Sequence, residues 1–173
     1  AFGLKGGMLK GEYLLNLDSE TEGELYVGCA GGIDATLTIP YTTEAAPAGH
    51  CAMKLTIGGL QGGHSGMEIN TGRENANKIL FRHLRWVAEC GIRLVSVDGG
   101  GLRNAIPRDA VAVFTMPKEH AKCITEEFEK VADWVKHELS AVEPDFFMKY
   151  EEVAMPEKVI SDADTQKIIN LAM

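Results

Sequence analysis

No two of the four cysteines, Cys29, Cys51, Cys90 and Cys123, form a C-x-x-C pair. That argues against a structural zinc ribbon. The wide spacing reads instead as reduced thiols of a cytoplasmic protein, with a Cys29–Cys51 bridge as the alternative. Cys90 and Cys123 fall in helical patterns and read as small core hydrophobes. Apolar runs of membrane-spanning length are missing. No basic segment followed by an apolar one opens the chain, so no signal peptide is visible in it. Cationic side chains are the scarcer sign, 17 Lys and Arg against 25 Asp and Glu, for a net charge of −8. A surface short of cations argues against a nucleic acid or an anionic membrane as partner. Internal repeats and low-complexity tracts are also lacking.

What remains is a soluble globular composition, 45% hydrophobic and 24% charged over 173 residues. That length suits one ordinary domain, or one domain plus a strip of another. The chain begins at Ala1 and stops at Met173 within a helical pattern, as expected of an excised fragment.

Glycine is concentrated in one stretch, Gly58-Gly59-Leu60-Gln61-Gly62-Gly63-His64-Ser65-Gly66. It follows an alternating run and precedes a helical one, so it reads as a strand-to-helix loop. Glycine is dense where backbone needs φ > 0 or approaches another group closely. A histidine on such a loop is well placed for function, and its charge changes near neutral pH. Alone, it reads first as a solvated loop residue.

In chain order, Glu12 to Asp18 is a short apolar run ending in a carboxylate, the pattern of a strand buried on both faces. Ligands collect at the carboxyl ends of such strands, where Asp18 would sit, although an Asx-turn explains an aspartate there as well. Leu25 to Cys29 is a second short strand candidate. The composition changes near Gly31, where a domain junction is expected. Ile33 to Tyr41 and Cys51 to Ile57 alternate and suggest an antiparallel pair. A helix is expected from about Thr71 to Cys90, with Ala76, Ile79, Leu80, His83, Leu84 and Val87 as its apolar stripe and Gly91 as its terminator. His83 sits on that stripe as a packing residue.

Strands are expected at Ile92 to Val97 and at Ala110 to Met116. The Gly99-Gly100-Gly101 run between them has no helix start after it, so phosphate binding is a weak reading of it. A second helix runs from about Lys118 to Val142, ended by Pro144. Its stripe is Ala121, Ile124, Phe128, Val131, Val135 and Leu139, and its many charges form a solvated face. Phe146 to Val153 is a final strand, and a helix starts after Ser161, a plausible N-cap. From His50 the order is β-α-β-β-α-β. The fold class is therefore α+β, a ferredoxin-like sandwich with an antiparallel sheet and two helices on one face.

Three stretches carry a resemblance. They are Leu14 to Glu20 running on to Glu24 to Gly32, Gly62-Gly63-His64-Ser65-Gly66, and Arg103-Asn104-Ala105-Ile106-Pro107. In this order and separation, from Leu4 to about Val153, the chain resembles the carnosinase-like di-zinc metallopeptidases in their aminoacyl-histidine dipeptidase branch. The resemblance implies a strip of the α/β zinc-peptidase catalytic domain over 1–31. It implies a ferredoxin-like lid and dimerisation domain over 32–155, and the start of a further lid helix over 156–173. It implies two zinc ions per active site, with Asp18 as a carboxylate ligand to one of them. It implies that His64 reaches the active site as a catalytic donor to substrate and oxyanion, in its own subunit or a partner's. It further implies that Asn104 contacts the substrate backbone or carboxylate. Arg103 takes no role by this match.

The residue types suit the chemistry. Carboxylates ligate zinc, two metals clamp water and carbonyl oxygen, and imidazole and amide N–H groups donate to an oxyanion. The other zinc ligands and the general-base glutamate have no counterpart in this chain. The expectation is therefore a piece of a cytoplasmic zinc dipeptidase, inactive alone, acting on dipeptides as a homodimer. The alternative is a stand-alone ferredoxin-like interaction or small-molecule-binding module without catalysis.

Overall fold

In the computed structural model, residues 5–8, 10–13, 15, 17, 21–28, 31 and 33–172 are described. The chain divides into two compact units, Ala1–Thr38 and Ile39–Met173. No helix or strand occurs among the described residues of the first unit. The second contains β1 (Thr43–Ala45), β2 (His50–Gly58), β3 (Gly63–His64), α1 (Ala76–Ala88), β4 (Arg93–Gly99), β5 (Ala105–Ile106) and β6 (Ala110–Pro117). After these come α2 (Lys118–Leu139), β7 (Phe147–Val153), β8 (Lys158–Ile160) and α3 (Asp162–Leu171).

The main sheet has four antiparallel strands in the order β4-β6-β2-β7. With α1 and α2 between them, this is the expected β-α-β-β-α-β sandwich. Strand alternation separates its two faces. Met53, Leu55 and Ile57 lie opposite Phe114, Ala112 and Ala110, and all are buried. They pack with Ile79, Leu80 and Leu84 of α1 and with Ile124 and Phe128 of α2 in one core. On the other face Lys54 lies beside Glu151, 3.9 Å away, and Thr56 beside Lys149. Val113 and Val111 stand opposite Lys54 and Thr56, so that face is mixed and half-buried. A register shift between Leu94 and Ser96 resets β4 against β6, as a bulge does.

Two helix boundaries move. Thr71 lies in a turn, and Asn75 caps α1 by accepting the Asn77 N–H at 2.9 Å. α2 stops at Leu139, before Pro144, because the Glu143 N–H turns back to the Leu139 carbonyl at 2.8 Å. Gly91 does take positive φ, at 76°. Ser161 caps α3 as expected, its Oγ accepting the Asp164 N–H at 3.4 Å. α3 joins the core through Ile169, and Thr165 Oγ1 accepts the Leu94 N–H at 3.1 Å.

The early strands are corrected. No described residue of 12–17 or 25–28 is in a strand, and Asp18 and Cys29 lie outside the described residues. Ile33 to Tyr41 is not a strand either, and Ile33 and Leu37 are exposed. An alternating run becomes a strand only where a sheet offers it unpaired N–H and C=O groups. Both edges of β2 are already taken, by β6 and β7. β1, just beyond that run, pairs with β8 instead. Cys51, Cys90 and Cys123 are free thiols. Cys90 packs against the core but Cys123 is exposed, so the core reading fails for Cys123. No helix among the described residues is long and apolar enough to cross a membrane.

His83 packs as expected, 3% exposed among the rings of Trp86, Phe128 and Tyr150. Its Nε2 lies 2.6 Å from the Tyr150 hydroxyl, and its Nδ1 has no partner. Burial pushes its pKa down from 6.5 to about 4. The neutral ring is therefore favoured in the folded state. Its contribution to stability is full above pH 6.5 and is lost as pH falls towards 4. A group titrating near 4 folded and 6.5 unfolded contributes on the order of 3 kcal/mol. Denaturant titrations at pH 7 and pH 4.5 should show stability falling with acidification, and His83→Phe should flatten that fall. An equal fall in both proteins would contradict the assignment.

Candidate functional site

The loop leaving β2 is shaped by close approach. A Cβ on Gly59, which has φ 75°, would lie 1.9 Å from the Asp145 carbonyl oxygen. The chain then runs outward from Gln61 and returns at Glu74. Both ends are held by one buried side chain, Glu143, 1% exposed. Its Oε2 accepts the Gln61 N–H at 2.8 Å and its Oε1 accepts the Glu74 N–H at 3.0 Å. The Gln61 side-chain amide adds a hydrogen bond to the Val142 carbonyl.

Within the loop, β3 pairs antiparallel with β5, Gly63 opposite Ile106 and His64 opposite Ala105. The Ser65 N–H donates to the Asn104 carbonyl at 3.0 Å. The β5 side is anchored in turn, since the Ala105 N–H reaches the Leu102 carbonyl and the Ala76 N–H reaches the Pro107 carbonyl. Two stretches some forty residues apart in sequence thus become one small ribbon. His64 lies opposite Ala105, and Asn104 is the next residue along, opposite Ser65; both His64 and Asn104 are exposed.

The His64 ring is oriented by its own turn. Its Nδ1 accepts the Gly66 N–H at 3.0 Å and the Met67 N–H at 3.2 Å. A nitrogen that accepts two N–H groups carries no proton, so the ring hydrogen sits on Nε2. The backbone of His64 is tied to Glu68. The Glu68 carboxylate accepts the His64 N–H at 2.7 Å, and the Glu68 N–H returns to the His64 carbonyl at 3.0 Å. The His64 N–H, and after it Arg73, hold the Glu68 carboxyl below the ordinary carboxylate range. Two open concavities of about 510 and 490 Å³ flank the ribbon. Gln61, Asp98 and Arg108 line the first and Ser65, Ile69 and Arg103 the second, and the His64 ring stands outside both.

The described residues contain no group of three His, Cys, Asp or Glu side chains that could hold a metal. They do not make a zinc site by themselves. Asp18, the expected ligand, lies outside the described residues. The ribbon offers hydrogen-bond donors instead, an imidazole Nε2–H and the Asn104 amide. Sequence reading found both donors but missed Glu68, Arg73 and Glu143. Glu68 had a local signal, its place four residues after His64. Glu143 had none, because it is remote in sequence and stands among other acidic residues.

Residues 48–143 match the family described as the peptidase dimerisation domain, and the chain belongs to that family. Over 155 residues it is 44% identical to the cytosol non-specific dipeptidase of Escherichia coli K12, a match covering 89% of this chain and 32% of that protein. The crystal structure of aminoacylhistidine dipeptidase from Vibrio alginolyticus superimposes with a TM-score of 0.84 at 47% identity, covering 99% of this chain and 35% of that one. The chain thus spans about a third of the length of these relatives.

Glu143→Ala would leave the Gln61 and Glu74 N–H groups without their acceptor. Stability should fall by about 1–3 kcal/mol, read as a lower denaturant midpoint at unchanged slope. The two amides should exchange with deuterium faster than in the parent. Unchanged protection at both would show that Glu143 does not hold the loop.

Proposed function

We propose that the chain is the lid and dimerisation part of a zinc-dependent dipeptidase that hydrolyses dipeptides such as aminoacyl-histidine, preceded over 1–31 by a strip of its catalytic domain. Residues 32–155 form the lid and 156–173 begin a further lid helix. The whole protein is a cytoplasmic homodimer joined through this domain, and the piece alone is inactive. The dipeptidase relatives and the dimerisation family support this reading. The observation that carries it is the meeting of His64 and Asn104 on one exposed ribbon, joined by the Ser65–Asn104 bond of 3.0 Å.

The roles are those that the family resemblance implies, and the donor set suits them. His64 gives its Nε2–H to the oxyanion that develops on the scissile carbonyl. Asn104 gives its amide N–H to the substrate backbone or carboxylate. Asp18 is a carboxylate of the kind zinc takes, and the bound zinc pair would supply the activated water. A donor aimed where charge develops stabilises the transition state rather than the ground state. It therefore acts on turnover.

In the full-length enzyme, His64→Ala should leave fold, zinc content and oligomeric state unchanged and cut turnover by roughly two to three orders of magnitude. Near-normal turnover would return His64 to an ordinary loop residue. If the histidine is donated across a dimer, mixing inactive His64→Ala and Asp18→Ala subunits should restore part of the activity once they exchange. No recovery with demonstrated exchange would confine His64 to its own subunit's site.

A further inference from the structure

We infer that Glu68 is the positioning residue for His64: it closes the turn that aims the imidazole, and turnover depends on it through that ring alone. This rests on the proposed donor role of His64. The turn His64 to Glu68 is closed at both of its ends by the same residue. The Glu68 carboxylate accepts the His64 N–H at 2.7 Å, and the Glu68 N–H donates to the His64 carbonyl at 3.0 Å. This reciprocal closure resembles a helix capping box, in which each partner satisfies the other's backbone. Between those ends, the Gly66 and Met67 N–H groups converge on Nδ1. Closing the turn therefore sets both the ring's direction and the nitrogen that keeps the hydrogen.

Glu68 is itself fixed. Its other oxygen lies 2.6 Å from Arg73 Nη1, which also donates to the Gly62 carbonyl at 2.8 Å. The carboxylate and guanidinium lie close against Gly63. A Cβ there would come within 2.5 Å of Arg73 Nη1 and 2.6 Å of Glu68 Oε2, and Gly63 has φ 147°. Any side chain at 63 would push the pair away. The glycines of the motif thus serve the ion pair as well as the backbone turn.

The bonds of this turn support no core. His64 and Ser65 to Met67 are all exposed. What the bonds do remove is the freedom of a glycine-rich segment, whose ordering would otherwise be charged to the reaction at each turnover. A donor held slightly off its productive position loses most of its effect.

The test uses the full-length enzyme and two readouts, the ¹⁵N spectrum of the His64 ring at alkaline pH and the steady-state constants. The parent ring should report one tautomer, with Nδ1 unprotonated and Nε2 protonated. In Glu68→Ala the two nitrogens should move towards tautomeric averaging. Its kcat should fall about 10- to 100-fold with KM nearly unchanged. Glu68→Gln, which keeps an acceptor for the His64 N–H, should recover most of kcat. In a His64→Ala background, Glu68→Ala should change kcat less than about twofold, since there is no ring left to aim. Unchanged ring signals, an additive double variant, or a Glu68→Ala protein that does not fold would each overturn the inference. Averaged ring signals with normal kcat would leave Glu68 as the residue that orients the ring and would remove His64 from catalysis.

Discussion

The candidate site depends on a ribbon two residues long. Gly63 and His64 pair with Ile106 and Ala105, and the Ser65 N–H adds a bond to the Asn104 carbonyl. A pairing so short has little stability alone. It persists because both sides are anchored to the sandwich. Glu143 grips the loop where it leaves and where it returns. Ile106, 5% exposed, anchors the opposite strand in the protein interior, and the first turn of α1 holds the carbonyl of Pro107. The sandwich thus serves as a rigid frame, and the ribbon presents two polar side chains from it. That division suits a site whose donors must be in place before charge develops.

Charge is used locally rather than over the whole surface. The chain is acidic overall, yet two of its carboxylates serve the histidine loop by accepting backbone N–H groups. Glu143 does so from inside the protein and Glu68 from the loop itself. One sets where the loop leaves the frame, the other how its tip is folded. Arg73 links the two levels, since it starts beside the Glu143-held end and reaches the carbonyl of Gly62. The His83 and Tyr150 pair is of a different kind. It lies in the core between α1, α2 and β7, where the rings pack and the imidazole stays neutral.

The main elements were legible because their patterns are long. β2 alternates buried and half-buried positions from Met53 to Ile57, and α1 repeats its apolar positions over thirteen residues. The short strands β1, β3, β5 and β8 carry two or three residues each, too few for any period to register. The run from Ile33 to Tyr41 shows the reverse failure: it has the period, but β2, the expected partner strand, already has β6 and β7 on its two edges. His64 and Asn104 were visible as motif residues, but their proximity was not, because it comes from chain closure far from either. Glu143 was hidden for the same reason, since a buried carboxylate is recognised by its partners and not by its neighbours in sequence.

The central claim is that one exposed ribbon delivers His64 and Asn104 together to a bound dipeptide. The most direct measurement is a crystal structure of the full-length enzyme with a non-hydrolysable dipeptide analogue. The account predicts His64 Nε2 and the Asn104 amide nitrogen each at about 3 Å from oxygens of the same ligand, whichever subunit of the dimer supplies them, with Nδ1 still facing the Gly66 and Met67 N–H groups. A bound ligand that neither side chain touches in either subunit would contradict it.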